Sequence, residues 1–493
     1  MDMNELRGKI NRLDDIISAA FKERMQVALD IARYKKENGL PVHDPARERA
    51  VIDRLTEGCD DEMTAALTEL YQTMFAVSRG YQHRYMVGKF GLIGHPLGHS
   101  FSPRVHALLG DKSYQLWDVA PQSLEEFLRT GDFDGVNVTI PHKQAVMPLC
   151  DALGETALRI GSVNTIVRRS DGTLYGDNTD AYGFLAMAQR AGIDFEGKKT
   201  LVLGSGGTSR TACAVIRAQG GTPVVISRTG ENNYHNLHLH ADAQLLVNTT
   251  PVGMYPHAAE TPVGLQLFPY LEGVLDVVYN PLRTRLLLSA QQMGLRCGDG
   301  LYMLCAQAAQ AREIFTGKPV PAQTLETAYR TLLSQQRSIV LIGMPGSGKS
   351  TVGRLLAQRL NKPFIDTDAL IEAKTGRKIP DIFAQDGESA FRDIEQQVIA
   401  DCCQTGGHVI ATGGGAVLRE ENRCNLRMNA QVVWLQRPLS ALPFHGRPLS
   451  TGFDAIESMY ALREPLYRAC ADAAADNSGD IQKTVADILE MIG

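Results

Sequence analysis

The residues in this sequence best suited to chemistry form a glycine-rich loop near residue 345. Residues 343–350 read GMPGSGKS and follow a short apolar run. In a loop of this kind backbone N–H groups surround phosphate oxygens, the lysine reaches the terminal phosphates and the last hydroxyl ligates Mg²⁺. A glycine-rich turn without a ligand is the alternative. The apolar run before the loop and the helical pattern after it favour a nucleotide site that includes Lys349 and Ser350.

Carboxylates, glycines and arginines follow this loop in an order that suits phosphate transfer. Asp366 and Asp368 end a predicted strand, where both carboxylates can face the phosphates. Arg392 and Glu395 lie one helical turn apart on one face. Residues 413–415 are three glycines, which permit close approach of the backbone to a ligand. The guanidinium groups able to bind a carboxylate bidentately belong to Arg392, Arg447 and Arg463.

In this order the residues resemble shikimate kinase, over residues 337–493. The resemblance implies phosphate transfer from ATP to shikimate by positioning and charge neutralisation. It implies that Asp366 and Ser350 hold Mg²⁺, and that Lys349 and Asp368 are catalytic. The implied ATP site is Gly346, Ser347, Gly348, Lys349, Ser350 and Thr351. The implied shikimate site is Asp368, Arg392, Gly413, Gly414, Gly415, Arg447 and Arg463. The segment 437–447 is short and lacks the usual additional lid arginine, whose place Arg437 could partly fill.

A second glycine-rich loop, GSGGTS at residues 204–209, follows a predicted strand and opens a predicted helix. That arrangement is typical of dinucleotide binding. The next strand ends in Ser227, Arg228 and Thr229. An acidic residue there would contact the ribose of NAD, whereas Arg228 suits the 2′-phosphate of NADP. A surface arginine without a ligand is the alternative.

Four polar clusters precede this loop, and their hydroxyl, amide, amine and carboxylate groups suit a polyhydroxylated acid. Lys143 and Asp180 would form an acid–base couple for the proton that accompanies hydride transfer. Turn chemistry is the alternative for each cluster taken alone. The clusters are Ser100-Phe-Ser102-Pro103, Asn137-Val-Thr139-Ile-Pro-His-Lys143, Ser162-Val-Asn164-Thr165 and Gly176-Asp-Asn-Thr-Asp180.

Together with residues 248–254, 279–281 and 300–307, these clusters resemble shikimate dehydrogenase over roughly residues 89–334. The resemblance implies reduction of 3-dehydroshikimate with NADPH, with Lys143 and Asp180 as the catalytic pair. The implied substrate residues are Ser100, Ser102, Thr139, Lys143, Asn164, Asp180, Tyr279 and Gln307. The implied NADP residues are Gly204, Ser205, Gly206, Gly207, Thr208, Ser209, Ser227, Arg228, Thr229, Met254 and Gly300.

The stretch between Arg228 and Leu245 departs from that family's pattern, because it is too short for the usual helix. It also carries His235, His238 and His240. Their spacing is compatible with a metal site, but loop or strand-edge histidines are the favoured interpretation. A further alternative is that this region oxidises quinate, or that the kinase-like region at 337–493 uses another polyol. Arg228 disfavours the first, and the pair Arg392 and Arg463 disfavours the second.

The first 86 residues predict helices only. Apolar residues recur at three- and four-residue steps from residue 6 to 36, which indicates one long amphipathic helix. Gly39 and Pro41 end it, and Asp44 caps a second helix that begins with Pro45. A third helix is predicted from about residue 60 to 85.

The polar residues of these helices resemble those of the small all-helical chorismate mutases, over residues 4–85. The resemblance implies cofactor-free conversion of chorismate to prephenate, with Arg24, Lys35 and Gln82 as catalytic residues. The matching positions are Arg7, Arg24, Lys35, Asp44, Arg47, Glu48, Ser78 and Gln82. Arg7 and Lys35 are about 42 Å apart along one helix and cannot share a pocket within a chain. We therefore predict a homodimer in which Arg7 enters the partner's site. A non-catalytic module that dimerises, or senses prephenate or chorismate, is the alternative.

Length and composition limit the number of domains and the class of protein. Its 493 residues suggest about three domains, and 44% hydrophobic with 21% charged residues excludes a largely disordered chain. A net charge of −5 without long charge runs argues against bulk nucleic-acid binding. The lack of a long uncharged apolar run argues against a membrane span, and nine scattered cysteines favour reduced cytoplasmic thiols.

The sequence thus predicts a trifunctional multidomain enzyme of aromatic amino acid biosynthesis. We expect an all-α helical dimer domain at 1–87, an α/β two-lobed dehydrogenase at 88–335 and an α/β P-loop kinase at 336–493. Alternating strands and helices in the latter two predict parallel sheets. Within the dehydrogenase, the substrate lobe is predicted at about 88–185 plus 302–335, and the Rossmann-type NADP lobe at about 186–301. The expected ligands are chorismate, 3-dehydroshikimate, shikimate, NADP(H), ATP and Mg²⁺.

Overall fold

A computed structural model describes residues 2–38, 40–87, 89–98, 100–169, 171–442 and 453–492. The chain divides into two compact units. The first unit comprises Met1–Glu155, Val163–Asp177 and Ala311–Pro319. The second unit comprises Thr156–Ser162, Asn178–Gln310 and Val320–Gly493.

Three helices begin the first unit, as the apolar periodicity predicts. They are α1 (Met3–Glu37), α2 (Pro45–Thr56) and α3 (Asp61–Val87). The Asp44 carboxylate accepts the Arg47 N–H at 3.0 Å and so caps α2. Only the second half of α1 has a packed face, where Met25, Ala28 and Ala32 are buried with Phe75 of α3. The first half of α1 exposes its apolar residues, including Leu6, Ile10, Leu13, Ile16 and Ile17.

A six-stranded sheet follows in the first unit. Its strands are β1 (Phe90–Gly94), β2 (Gln115–Asp118), β3 (Gly135–Val138), β4 (Ala152–Leu153), β5 (Thr165–Arg168) and β6 (Leu174–Asp177), in the order β2-β1-β3-β5-β6-β4. The helices along this part of the chain are α4 (Ser102–Leu108), α5 (Leu124–Thr130) and α6 (Glu155–Ile160).

The prediction of a parallel sheet is only partly right in this unit. Strand β5 runs antiparallel to both β3 and β6. Only five residues, 169–173, connect β5 to β6, and a connection that short cannot cross over to make a parallel pair. The antiparallel register sets Asn137 of β3 directly opposite Thr165 of β5.

The second unit contains a five-stranded parallel sheet of the Rossmann type. Its strands are β7 (Lys199–Leu203), β8 (Thr222–Ile226), β9 (Leu245–Asn248), β10 (Gly273–Asp276) and β11 (Arg296–Asp299), in the order β11-β10-β9-β7-β8. The helices along this part of the chain are α7 (Asp180–Arg190), α8 (Gly207–Ala218), α9 (Arg285–Gln292), α10 (Gly300–Thr316) and α11 (Ala322–Gln336). Strands β7, β9 and β10 are almost wholly buried, which is why they read as continuous apolar runs.

A second five-stranded parallel sheet completes the second unit. Its strands are β12 (Ser338–Ile342), β13 (Phe364–Asp366), β14 (Val409–Ala411), β15 (Ala430–Gln436) and β16 (Ala473–Asp476), in the order β13-β14-β12-β15-β16. Its helices are α12 (Lys349–Leu360), α13 (Thr367–Thr375), α14 (Ile379–Cys403), α15 (Glu420–Met428), α16 (Phe453–Cys470) and α17 (Ile481–Ile492). The carboxyl ends of β12, β13 and β14 meet at one edge, where a ligand site is expected.

The two parallel sheets of the second unit are joined by direct contacts that the sequence did not predict. Arg283, which precedes α9, forms an ion pair with Asp472, with 2.8 Å between Nη1 and Oδ1. The neighbouring Leu282 N–H donates to Asn429 Oδ1 at 2.9 Å. These bonds connect the segment before α9 to the residues that precede β15 and β16.

No helix in the described ranges is long and apolar enough to cross a membrane.

Candidate active sites

The phosphate-binding loop lies between β12 and α12, as predicted. It borders a cavity of about 550 Å³ whose lining includes Gly346, Lys349 and Ser350. Lys349 is buried, and its ammonium group donates to the carbonyl oxygens of Gly343 and Met344, each at 2.9 Å. A lysine held at the mouth of the loop in this way is placed to meet the terminal phosphates of a nucleotide.

The two groups predicted to hold Mg²⁺ lie side by side on the same cavity. Ser350 Oγ donates to Asp366 Oδ2 at 2.6 Å. The other oxygen of Asp366 accepts the backbone N–H groups of Asp368 and Ala369, which fixes the carboxylate at the start of α13. A hydroxyl and a carboxylate beside a phosphate site are the oxygen ligands that Mg²⁺ prefers, so the residues fit the metal.

Asp368 lines the same cavity as Asp366. Burial raises the pKa of Asp368 to about 6, and the carboxylates of Asp366 and Glu395 act in the same direction, against Lys349 and Arg392. A carboxylate with a pKa closer to neutrality is a better proton acceptor for a hydroxyl group. The arrangement therefore suits general-base assistance by Asp368.

Two of the three arginines predicted to hold a carboxylate, Arg392 and Arg463, line the same cavity. Arg392 forms ion pairs with Glu388 at 3.0 Å and with the buried Glu395 at 2.7 Å. Arg463 is also buried, and its Nη1 donates to the Gly414 carbonyl at 3.0 Å. A Cβ at Gly415 would overlap the Arg392 guanidinium, which explains the glycine there.

The predicted lid residue Arg447 lies outside the described residues. Arg437, suggested as a partial substitute, lines the cavity. Its Nη1 donates to the carbonyl of Gly346 in the phosphate loop at 3.2 Å.

The second glycine-rich loop lies between β7 and α8, the position predicted for a dinucleotide. Gly204 has a φ of +104°, and a Cβ there would come within 3.0 Å of Thr249 and Thr250. Ser205, Gly206 and Thr208 are partly or fully exposed at the start of α8, where the backbone can approach a pyrophosphate. Gly207 opens the helix. Ser209 is buried, and its hydroxyl bonds to the Cys213 thiol, so its side chain faces into the protein.

Asp276 is a buried carboxylate that the sequence analysis did not identify, and it stabilises the turn that follows β9. Asp276, at the end of β10, accepts from Asn248 Nδ2 at 3.0 Å and Thr284 Oγ1 at 2.7 Å. Burial raises its pKa to about 7, against these hydrogen bonds. Asn248 Oδ1 in turn accepts the N–H and hydroxyl of Thr250, which fixes the turn that carries Met254. An acidic residue inside an apolar strand was the signal that could have identified it.

The residues predicted to select NADP lie in a turn after β8. Ser227 Oγ accepts the Gly230 N–H at 2.8 Å, while Arg228 and Thr229 are exposed. Gly300 begins α10 against the Val277 carbonyl. Of the three nearby histidines, His235 and His238 are exposed, and His240 Nε2 lies 3.0 Å from Asn232 Oδ1.

In the first unit, the predicted substrate residues lie near the ends of β1 and β3. Ser100 and Ser102 form a hydrogen-bonded pair, with 3.2 Å between their hydroxyl oxygens. The Thr139 N–H donates to the Ile93 carbonyl at 2.9 Å. The Lys143 carbonyl accepts the Val163 N–H at 2.8 Å, so the main chain of the lysine lies beside the segment that leads to Asn164.

The remaining predicted dehydrogenase residues belong to the second unit. Asp180 is the first residue of α7 and follows Thr179, whose hydroxyl lies 3.4 Å from Gln307 Oε1. Helices α7 and α10 are in close contact, since a Cβ at Gly183 would come 2.7 Å from the Met303 carbonyl. Tyr279 follows β10, and burial raises its pKa.

In the helical region, α1 and α3 bring together three predicted chorismate residues. Ser78 and Gln82 are buried, and Gln82 Nε2 donates to Ser78 Oγ at 3.3 Å. The guanidinium of Arg24 lies over the Phe75 ring at 5.6 Å. Arg24 Nη1 and Gln82 Oε1 are both buried, and neither has a hydrogen-bond partner within the described ranges. Buried polar atoms of this kind require a polar partner from outside the described chain, such as a ligand, water or a second chain.

Four other predicted chorismate residues lie around the start of α2, namely Lys35, Asp44, Arg47 and Glu48. Lys35 Nζ donates to the Val42 carbonyl at 2.8 Å. Glu48 receives both of its short hydrogen bonds from Arg79 of α3, a residue that the sequence analysis missed. Arg47 is exposed, as is Arg7 near the start of α1, which the structure does not bring to the Arg24 group.

Three family models match the chain in succession. They are Chorismate mutase type II at residues 6–83, Shikimate dehydrogenase substrate binding domain at 92–166 and Shikimate kinase at 345–493. The prediction of a three-part fusion in this order is thereby confirmed.

Curated relatives and a solved structure are similar to about half of the chain. "Shikimate dehydrogenase (NADP(+))" of Clostridium perfringens (strain SM101 / Type A) is 38% identical over 265 residues, which is 49% of this chain and 97% of that protein. Its namesake from Methanopyrus kandleri is 39% identical over 272 residues, covering 48% and 93%. A solved chorismate mutase/shikimate 5-dehydrogenase fusion protein from Clostridium acetobutylicum is 32% identical, with a TM-score of 0.47, covering 49% of this chain and 96% of that one. The chain belongs to the shikimate dehydrogenase family, and it also carries a chorismate mutase type II region before the dehydrogenase and a shikimate kinase region after it.

Proposed function

We propose that this chain is a trifunctional enzyme of aromatic amino acid biosynthesis. It reduces 3-dehydroshikimate to shikimate with NADPH, phosphorylates shikimate with ATP, and rearranges chorismate to prephenate. The proposal is supported by the three matched family regions and by polar side chains of the required chemistry within each of them. The kinase group around Asp368 is the most complete, with nucleotide loop, metal ligands, base and arginines on one cavity.

In the dehydrogenase reaction, NADPH held by the 204–209 loop supplies the hydride. Ser100, Ser102, Thr139, Asn164 and Gln307 hold the substrate, with Tyr279 beside it. Lys143 and Asp180 form the acid–base couple that delivers the proton to the carbonyl oxygen. The exposed Arg228 is available to pair with the 2′-phosphate of the cofactor.

In the kinase reaction, ATP with Mg²⁺ supplies the phosphoryl group. Lys349 neutralises charge on the phosphates, while Ser350 and Asp366 are the metal ligands. Asp368 takes the proton of the attacking shikimate hydroxyl, and Arg392 and Arg463 fix the shikimate carboxylate. The product of the dehydrogenase is thus the substrate of the kinase.

In the mutase reaction the protein needs only to hold chorismate in its reactive conformation. Arg24 and the partner's Arg7 bind the two carboxylates, which restricts the substrate to the reacting geometry. Lys35 and Gln82 stabilise the charge that develops on the ether oxygen. Glu48, which is hydrogen-bonded by Arg79, and the Arg47 region bind the ring hydroxyl.

The proposal includes a homodimer formed through the first half of α1. In a single chain, Leu6, Ile10, Leu13 and Ile17 are between 42% and 64% exposed. A contiguous apolar helix face of this kind is stabilised when a second copy covers it. The same pairing brings Arg7 of one chain to Arg24 of the other. We place the enzyme in the cytoplasm, where its nine free thiols stay reduced.

The proposed domain boundaries are 1–87, 88–335 and 336–493. The purified chain should convert 3-dehydroshikimate to shikimate with NADPH alone, and to shikimate 3-phosphate when ATP and Mg²⁺ are added. Chromatography of the products checks both steps. Reduction without phosphorylation, or neither step, would contradict the proposal.

Complementation tests the shared mutase site. Homodimers of Arg7→Ala and of Arg24→Ala should both be inactive, because every site lacks one arginine. Co-expression of the two variants should restore about one quarter of wild-type mutase activity, since half of the dimers are mixed and one of their two sites is intact. Chorismate consumption by the co-purified mixture measures this.

The control is the double variant Arg7→Ala/Arg24→Ala co-expressed with Arg24→Ala, in which every site lacks Arg24. No recovery in the first mixture would show that both arginines act within one chain and would contradict the shared site.

A further inference from the structure

A hydrogen-bonded chain of side chains runs through the interior of the first unit and ends at Asn164. The Tyr114 hydroxyl donates to Asn137 Oδ1 at 2.7 Å, and Asn137 Nδ2 donates to Thr165 Oγ1 at 3.0 Å. The Thr165 hydroxyl then donates to Asn164 Oδ1 at 3.0 Å. All four side chains are buried, and Thr165 is fully inaccessible to solvent.

The donor and the acceptor of each hydrogen bond in this side-chain network can be assigned. A phenol hydroxyl has one hydrogen to donate, and it goes to the Asn137 oxygen, so the nitrogen of that amide must face Thr165. Asn137 Nδ2 occupies a lone pair of the Thr165 hydroxyl, which leaves the hydroxyl hydrogen for Asn164 Oδ1. The Asn164 amide is thereby oriented with its oxygen towards the Thr165 hydroxyl and its Nδ2 away from that hydroxyl.

The start of the chain is fixed by aromatic packing. The His106 imidazole of α4 stacks on the Tyr114 ring with 3.9 Å between centroids and 9° between planes. Burial lowers the pKa of His106 to about 3, so the ring is neutral and puts no positive charge beside the phenol. Burial also raises the pKa of Tyr114, which keeps the hydroxyl protonated as a donor.

The backbone of Asn164 is held as firmly as its side chain. Its carbonyl accepts the Val138 N–H at 2.7 Å and Asn137 Nδ2 at 3.3 Å, and its N–H donates to the Asp177 carbonyl at 3.0 Å. With the main chain fixed, the remaining freedom is rotation of the amide, which the Thr165 hydroxyl restricts.

We propose that Tyr114, Asn137 and Thr165 are positioning residues that orient the Asn164 amide for binding of the dehydrogenase substrate. The inference rests on the dehydrogenase function proposed above. None of the three residues needs to touch the substrate. Their contribution is preorganisation, so its loss should weaken substrate binding while leaving the cofactor loop of the second unit unaffected.

Steady-state kinetics of variants at both ends of the chain test this inference. Thr165→Val keeps the shape of the side chain but leaves Asn137 Nδ2 and Asn164 Oδ1 without their shared partner. We expect its KM for 3-dehydroshikimate to rise about tenfold, with the KM for NADPH unchanged. Thr165→Ser retains the hydroxyl and should restore the KM to within about twofold of the wild-type value. Tyr114→Phe, at the far end, should raise it about threefold.

Thermal unfolding and the kinase activity of the same preparations separate positioning from folding. A fall in melting temperature with both KM values unchanged in Thr165→Val and Tyr114→Phe would overturn the inference. An equal rise in both KM values would also overturn it. If Thr165→Val does not fold, Tyr114→Phe decides the outcome alone. A wild-type chain unable to reduce 3-dehydroshikimate would overturn the proposed dehydrogenase function and this inference with it, whereas an active wild type with unaffected variants would overturn this inference alone.

Discussion

Replacing Asp368 with asparagine should lower the kinase kcat about 10³-fold while leaving the dehydrogenase and mutase activities intact. Asparagine keeps the size of the side chain but cannot accept the proton of the attacking hydroxyl. It also removes one of the negative charges that Lys349 and Arg392 face in the cavity. Phosphorylation of shikimate coupled to ADP release measures the effect. Glu490→Gln removes an exposed carboxylate from α17 and serves as the matched control.

The pH dependence of the kinase supplies a second readout for the same residue. Burial raises the pKa of Asp368 to about 6, so the fraction of ionised base falls as the pH drops through that value. The kinase kcat should therefore rise with pH up to about 6 to 7 and then level off. In Asp368→Asn this dependence should disappear from the residual activity. Retention of wild-type kcat, or of the acidic limb of the profile, would contradict the assignment of Asp368 as the base.

Replacing Arg24 with alanine should lower kcat/KM of the mutase about 10³-fold, which corresponds to about 4 kcal/mol of lost transition-state stabilisation. Arg24 is half-buried between α1 and α3, and its Nη1 has no hydrogen-bond partner among the residues that the structure describes. A carboxylate of the substrate would therefore gain a desolvated, charge-assisted hydrogen bond from it. Arg33 of the same helix provides a matched control, because its guanidinium is 60% exposed and pairs with Asp30. Arg33→Ala should retain full mutase activity.

The parts of the structure that the sequence predicted well are those encoded by local patterns. The two glycine-rich loops follow buried strands and open helices in the structure, because apolar runs and the residues that punctuate them are read over a few positions. The three N-terminal helices follow from the spacing of apolar residues along α1 and from the Pro45 and Asp44 cap. The matched order of polar residues then gave the three family assignments.

The parts that the sequence did not predict depend on contacts between residues distant in the chain. The pairing of Glu48 with Arg79 requires the packing of α2 against α3, and the ion pair of Arg283 with Asp472 joins residues 189 positions apart. The antiparallel pairing of β5 with β6 follows from the short connection between them rather than from the composition of the strands. Ser209 has the right sequence position for a cofactor contact, but the helix turns its hydroxyl towards Cys213.

For the helical region, a catalytic role must be distinguished from a role in dimerisation alone. Its packed core within one chain is small, and α2 has no buried residue, so dimerisation alone would already explain much of its apolar surface. Burial of apolar surface does not explain the buried Arg24 Nη1 and Gln82 Oε1, which lack a hydrogen-bond partner among the described residues. They are the physical basis for a third active site in this chain.

The most direct test of the trifunctional account is the loss of chorismate absorbance in the presence of the purified full-length protein. The account predicts steady consumption of chorismate by the wild type and by Arg33→Ala, and almost none by Arg24→Ala. The three preparations must have the same dehydrogenase rate as one another, and the same kinase rate as one another. If the wild type leaves chorismate unchanged while the other two activities are intact, the helical region is not a third active site, and the trifunctional account is wrong.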